Sequence, residues 1–298
     1  MDIVLTSLIG AIVAIFSTIV GSFAGGATSL IMFPLIMFFV TPVYLDALTA
    51  DKIATLFMTI SASHIHFRKK KINKSLFFIL IVFGLIGTAV GTYLVQYKLH
   101  EELFKMILAA CLTTMALYIF FSKGKGVVKG EERKIGGKEL FVAAIFSFLI
   151  NILNGLFGGT GMFLTLFFVL FLKMTFIDCM VYTMPIYAII NVFQVPYLVY
   201  ISDILHKNLL LSITMAVCGI IGGIIGTRLQ YLKGNVLIKR VAVVVMLVVG
   251  IKTFIGGLFF ICERMRYIFF IRRDLGNFAS AKCSCDPIFL KKIYTHPL

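Results

Sequence analysis

The chain reads as an all-α polytopic membrane protein of two homologous halves, with about eight full transmembrane helices plus two short broken or re-entrant segments. Three observations predict this. Hydrophobic residues make up 60% of the chain and charged ones 14%, with a mean hydropathy of +1.03, whereas soluble domains sit nearer half apolar and a quarter charged. The apolar residues come in blocks long enough to cross a bilayer, which takes about 20 residues per helix. A glycine pattern also occurs twice, once in each half.

The blocks fall at 3–24, 75–96, 101–121, 139–157, 177–201, 208–230 and 236–261, and a further long segment at 47–66 carries charges. None alternates polar with apolar residues, which excludes a β-barrel. No basic stretch precedes the first block, so it is expected to remain as a span rather than be cleaved as a signal peptide. The net charge of +15 points away from nucleic acid because of where it sits. Arg68, Lys69, Lys70, Lys71 and Lys74 fill one loop, and Lys123, Lys125, Lys129, Arg133, Lys134 and Lys138 fill another. Basic loops beside spans follow the positive-inside rule and place both loops in the cytoplasm of a multi-pass cell-membrane protein.

The repeat sets the domain organisation. FGLIGTAVGTYL at 83–94 matches CGIIGGIIGTRL at 218–229, with Gly84, Gly87, Gly91 and Thr92 against Gly219, Gly222, Gly226 and Thr227. Glycines three and then four apart share one helical face. Upstream, GSFAGGATS (21–29) corresponds to GLFGGTGMF (155–163), and LDAL (45–48) to IDCM (177–180). The expected units are a first transmembrane repeat at 1–121, a basic cytoplasmic linker at 122–138, a second repeat at 139–258, and a basic tail at 259–298. The tail has no counterpart in the first half and reads as a surface-lying amphipathic segment or a poorly ordered appendage. Whether the repeats are inverted or parallel depends on whether the short segments, near 27–40 and 161–173, cross the bilayer. The charges leave both open.

The short segments follow glycine-rich stretches, and such interrupted pairs in duplicated halves point to a secondary transporter. A helix that starts inside the membrane leaves its first N–H groups unpaired. With the positive end of the helix dipole, these groups form a seat for an anion. Gly25, Gly26, Thr28 and Ser29, and Gly158, Gly159, Thr160 and Gly161, are therefore read as two facing anion cradles. The alternative is that the glycines only permit tight helix crossing. Pro34 and Pro185 are expected to kink or break their helices.

In the segment after the first cradle, Asp51 and Lys52 are ionisable residues in an apolar run and so are functional candidates. A position near the interface, with Lys52 snorkelling to head groups, is the competing reading. The second copy offers Thr183, Asn191 and Gln194. Asn191 and Gln194 share a face and are suited to lining a pathway or to bonding between helices, with Gln194 the better structural tie. Asp46 and Asp178 resemble helix N-caps. His64 and His66, two apart on a helix, face away from each other and make no metal pair. Six cysteines imply no disulfide framework and no zinc site. No P-loop or nucleophile–base set occurs, so neither an enzyme nor a cofactor is expected.

GSFAGGATSLIMFPL, ALTADKIA (47–54), NGLFGGTGMF, Thr183, Asn191 and the two glycine helices together resemble the sulfite exporter TauE/SafE family of membrane permeases, over about 5–258. The resemblance implies export of small anions such as sulfite, sulfonates and related organosulfur anions, coupled to an ion gradient. Family-like positions include Gly21, Gly25, Gly26, Pro34, Ala47, Asp51 and Lys52, then Gly155, Gly158, Gly159, Gly161, Thr183 and Asn191. The chain departs from the family pattern at Ala50-Asp51, where members often have Thr-Asn. A carboxylate there repels an anion unless it is protonated or paired, and suits a proton-coupling role. A permease for a neutral or cationic solute and a non-transporting membrane assembly factor are the alternatives. The expected partners are a small anionic substrate, a coupling proton and membrane lipid.

Overall fold

The computed structural model describes residues 3–70, 72–95, 117, 121, 126–127, 136–158, 160–202, 204 and 208–278, with side chains almost throughout as far as residue 248. Most of the span expected at 101–121, most of the linker, and the end of the tail lie outside the described residues. The described chain is helical, in the order α1 (Ile3–Ala24), α2 (Thr28–Phe39), α3 (Tyr44–Lys69), α4 (Lys74–Leu94), α5 (Gly137–Phe157), α6 (Gly161–Phe171), α7 (Phe176–Ile201) and α8 (Leu209–Phe278). Five of these (α1, α4, α5, α7 and α8) are long and apolar enough to cross a membrane, while α2 and α6 are short apolar helices. α3 is as long as α7 but carries charges at its ends and centre.

Local chemistry sets the boundaries. Asn73 caps α4 by accepting from the Ser75 and Leu76 N–H groups. Glu139 reaches back to the Gly136 N–H at the start of α5. Thr175, rather than Asp178, caps α7. Its hydroxyl oxygen accepts from the Asp178 N–H at 3.2 Å, and its own O–H donates to the Asp178 carboxylate at 2.6 Å. Asp178 thus sits in the first turn, where its charge favours the dipole. Asp46 likewise lies in the first turn of α3, whose N-cap is Val43. The capping roles expected of the two aspartates belong one turn earlier.

Neither proline breaks its helix. α2 runs on past Pro34, and α7 is continuous through Pro185 and Pro196, since surrounding helices and local adjustments can absorb a freed carbonyl. The break in the last helix falls instead at Gly234, with φ 72° and ψ 175°. Beyond it the backbone stays helical to Phe278. Residues 262–278 therefore continue the last helix.

The side-chain pairings give each of the six long helices a direction. On α1 and α8, Thr18 meets Cys218 and Gly222, and Ser22 meets Gly222 and Gly226, so the two run parallel. On α3 and α8, Ala54 meets Gly219, Met58 meets Gly223 and His66 meets Tyr231, again in parallel. α4 is parallel to α5, with Gly84 against Ser147 and Gly91 against Ile152. It is also parallel to α7, with Asn73 bonded to Tyr182 and Thr92 to Gln194. α3 turns back into α4, bringing Phe67 against Phe77. Hence α1, α3 and α8 up to Gly234 point one way, and α4, α5 and α7 the other. Each long helix of the first half runs opposite to its counterpart in the second.

The two glycine faces pack across the halves. A Cβ on Gly91 would collide with the Ile152 carbonyl of α5, and one on Gly226 with Ser22 of α1. Lipid tails are as apolar as leucine, so membrane helices associate through such close approach and not through a hydrophobic drive. The last described long helix of each half thus lies against the first helix of the other.

Candidate functional site

α1 ends and α2 begins across Gly25–Ala27, and α5 ends and α6 begins across Gly158–Thr160. The glycines make these breaks possible. Gly25, Gly26 and Gly158 have φ of 94°, 88° and 69°, a region that side chains with a Cβ enter only with strain. The α1 break closes with the Gly26 N–H donating to the Gly21 carbonyl at 2.9 Å, and the α5 break with the Gly158 N–H donating to Asn154 at 3.0 Å. The Gly25 carbonyl, turned out of its helix, accepts from the Thr165 hydroxyl at 3.0 Å.

The two breaks touch. A Cβ on Gly26 would stand 3.1 Å from the Gly161 carbonyl carbon, and one on Gly161 would stand 3.0 Å from the Gly26 oxygen. Ala27 and Thr160 are the N-caps of α2 and α6, and neither contributes a side-chain cap bond. The amino ends of two half-helices from opposite halves therefore meet in the protein interior without the side chains that usually satisfy them.

Beside this junction lies a small cavity of about 20 Å³. Gly26, Thr28, Ser29, Lys52, Gly161, Thr183 and Asn191, all expected from the sequence, line it. Asn154, Tyr187, Thr55, Met58, Thr59 and Met184 complete the lining and were not expected. Four of the expected residues stand back from the cavity. Gly25 faces Met180, Gly158 packs against Asp51, Lys52 and Ser29, Thr160 pairs with the Tyr187 hydroxyl at 3.3 Å, and Asp51 lies behind Gly158. Gly159 lies outside the described residues.

Asp51 and Lys52 are both buried, at 0% and 1% exposure, so Lys52 does not snorkel to head groups. Its ammonium donates instead to Asn154 Oδ1 at 2.8 Å. The two side chains diverge, as neighbours on a helix must. Lys52 reaches the cavity, while the Asp51 carboxylate oxygens have no hydrogen-bond partner within bonding geometry. The amide of Asn191 is buried and unpartnered at both ends, and so is the Asn154 Nδ2. Each buried polar group left unmet costs on the order of 1–3 kcal/mol. The unmet groups of Asn154 and Asn191 lie on the wall of this cavity.

Two hydroxyls on the cavity wall meet only sulfur, while those of Thr55 and Thr59 donate to the Asp51 and Leu56 carbonyls of their own helix. Thr28 donates to the Met58 thioether at 3.1 Å, and Thr183 approaches the Met180 sulfur at 3.7 Å. Gln194 does not line the cavity and ties α7 to Thr92 of α4 at 3.2 Å. Asn154 was the residue sequence reasoning missed, although its position with Asn151 on one face of an otherwise apolar span was a usable signal.

Set against known proteins, the chain matches the family described as sulfite exporter TauE/SafE over residues 9–253. It is 24% identical over 241 residues to a Haemophilus influenzae protein named "Probable membrane transporter protein", covering 80% of this chain and 91% of that one. No solved structure matches.

Proposed function

The chain belongs to the sulfite exporter TauE/SafE family of membrane transporters, and from that premise we propose that it is a secondary transporter exporting a small oxyanion or sulfonate of the sulfite and taurine kind. The observation that carries the anion assignment is the buried Lys52 ammonium on the wall of the cavity where two uncapped half-helices meet. Three kinds of positive group converge there: the ammonium, the helix-end N–H groups with their dipoles, and the amide of Asn191. A compact anion with several oxygens accepts from all of them. Substrate-contacting roles go to Gly26, Thr28, Ser29, Lys52, Gly161, Thr183 and Asn191. Gly25, Gly158 and Thr160 hold the breaks open.

The cavity holds about one water and no polyatomic anion, so the arrangement corresponds to a closed state and transport requires it to widen. The repeats at 1–121 and 139–258, with long helices running in opposite directions, suit alternating access around a fixed site. Asp51 takes the proton-coupling role. It is buried next to Lys52 but off the cavity wall, so protonating it changes the field at the site without occupying it. The same placement disfavours a cation permease, because the carboxylate is turned away from the cavity and the ammonium toward it.

The deciding experiment is flux in proteoliposomes of labelled sulfite and a taurine-like sulfonate, against a cation panel, for the native chain and for Gly26→Leu and Gly161→Leu. Anion flux lost in both variants supports the reading. Cation flux, or no flux of any solute, replaces it with the cation permease or with the assembly factor.

A further inference from the structure

A second site lies at the basic end of α3, away from the central cavity. There a surface groove of about 820 Å³ runs along the seam of α3 and α8, lined among others by Ile60, Arg68, Lys69, Ile224, Arg228, Tyr231 and Leu232. We propose that this cleft binds one anionic phospholipid, its phosphate held by Arg68, Lys69 and Arg228 and its acyl chains lying along Ile60 and Ile224, with Leu232 at the rim.

The argument rests on how the two kinds of surface are arranged. Arg68 and Lys69 come from the end of α3, and Arg228 from α8, so three cations from segments far apart in sequence converge on one opening. Among the described residues that line it there is no carboxylate, and the ion pair at this end of the molecule, Lys70 with Asp178, lies outside the cleft. Tyr231 organises the rim. Its hydroxyl meets His66 Nδ1 at 2.8 Å, and its ring carries the Lys69 ammonium 4.3 Å from the centroid. Lys69 is thus held at the mouth by a neutral aromatic, with its charge left for an incoming group.

Below the cations the wall is apolar, formed by Ile60 and Ile224, with Ile60 45% exposed. A free phosphate has no use for that wall, and a neutral lipid has no use for the cations. A lipid carrying a negative head and two chains matches both. This end of the molecule holds the basic 68–74 loop, which the positive-inside rule places on the cytoplasmic face, where anionic lipids attract juxtamembrane Lys and Arg.

The chain has no tryptophan, so a single one introduced by Leu232→Trp reports on the cleft alone. Its fluorescence is measured in vesicles of phosphatidylcholine containing either brominated phosphatidylglycerol or brominated phosphatidylcholine at equal fractions. The proposal expects quenching by the anionic lipid to indicate at least about fivefold tighter association, the scale of one juxtamembrane cation. Adding Arg68→Gln and Arg228→Gln should bring the preference near unity, and inorganic phosphate should not reverse it. Native mass spectrometry of the chain without Leu232→Trp, with and without the two arginine changes, gives a second reading of retained phosphatidylglycerol. Equal quenching by both lipids, a preference that survives loss of both arginines, or displacement by inorganic phosphate would each overturn the assignment.

Discussion

Lys52 donates to Asn154 at 2.8 Å, and both side chains are buried. The bond joins α3 of the first half to the end of α5 in the second, one residue type from each. It fixes the ammonium beside the junction of the two helix breaks through a neutral partner, which adds no second carboxylate to that of Asp51. A carboxylate at the same position would hold Lys52 equally well but remove the field an anion needs.

That contrast gives the first prediction. Asn154→Asp should fold, since a paired buried ion is tolerated, yet lose anion affinity. Asn154→Leu should lower stability by about 2 kcal/mol, the scale of a hydrogen bond to a charged group. Lys52→Met should fold and lose roughly tenfold or more in anion affinity. Thermal unfolding in detergent and concentration-dependent flux in proteoliposomes separate the two effects.

Asp51→Asn should abolish transport driven by a pH gradient while sparing exchange of labelled for unlabelled substrate. Gradient-driven flux equal to that of the native chain would remove Asp51 from the coupling role.

Gly26→Ala should cost about 1–3 kcal/mol, because it combines a strained φ of 88° with a close backbone neighbour. Gly137→Ala is the control. That glycine opens α5 with nothing within 4 Å of a built Cβ, and the change should be neutral or stabilising by up to about 1 kcal/mol. Paired unfolding measurements check both, and equal effects at the two positions would show that the break tolerates side chains.

Asn191 and Gln194 should behave differently although they share a helix face. Gln194→Leu should reduce stability by about 0.6 kcal/mol, the average for a bond between membrane helices, and leave substrate preference unchanged. Asn191→Ala should alter affinity or preference with little effect on unfolding. A Gln194 variant that changes substrate preference would mean that α7 presents both residues to the pathway.

Much of this was legible in the residues. The helical class followed from apolar blocks of spanning length, and the two breaks from glycines followed by short apolar runs, because only a backbone freed of Cβ can turn as Gly25, Gly26 and Gly158 do. Gly26, Thr28, Ser29 and Gly161 were reached the same way, and Lys52, Thr183 and Asn191 as polar residues within apolar runs. What escaped has a common cause. Asn154 lies within an otherwise apolar span, and its role exists only because α3 delivers Lys52 to it from about a hundred positions earlier. The burial of Lys52 could not be told from snorkelling, since sequence depth does not say whether neighbours are lipid or protein. Pro34 and Pro185 misled because a proline's effect depends on what can receive the freed carbonyl. Helix direction was undecided by charge and was fixed by which glycines meet which carbonyls.

The pairing of α1 with α8 has a consequence for biogenesis. Thr18 and Ser22 on α1 meet carbonyls of α8 that lie 200 residues later in the chain. During synthesis α1 must therefore wait in lipid, its small-residue flank uncovered, until α8 has been inserted. Thr18 is equipped for the wait, since its hydroxyl also donates to the Ala14 carbonyl of its own helix at 2.6 Å. Nascent chains stalled before α8 should leave α1 accessible to lipid-borne crosslinkers, and release of the full length should shield it.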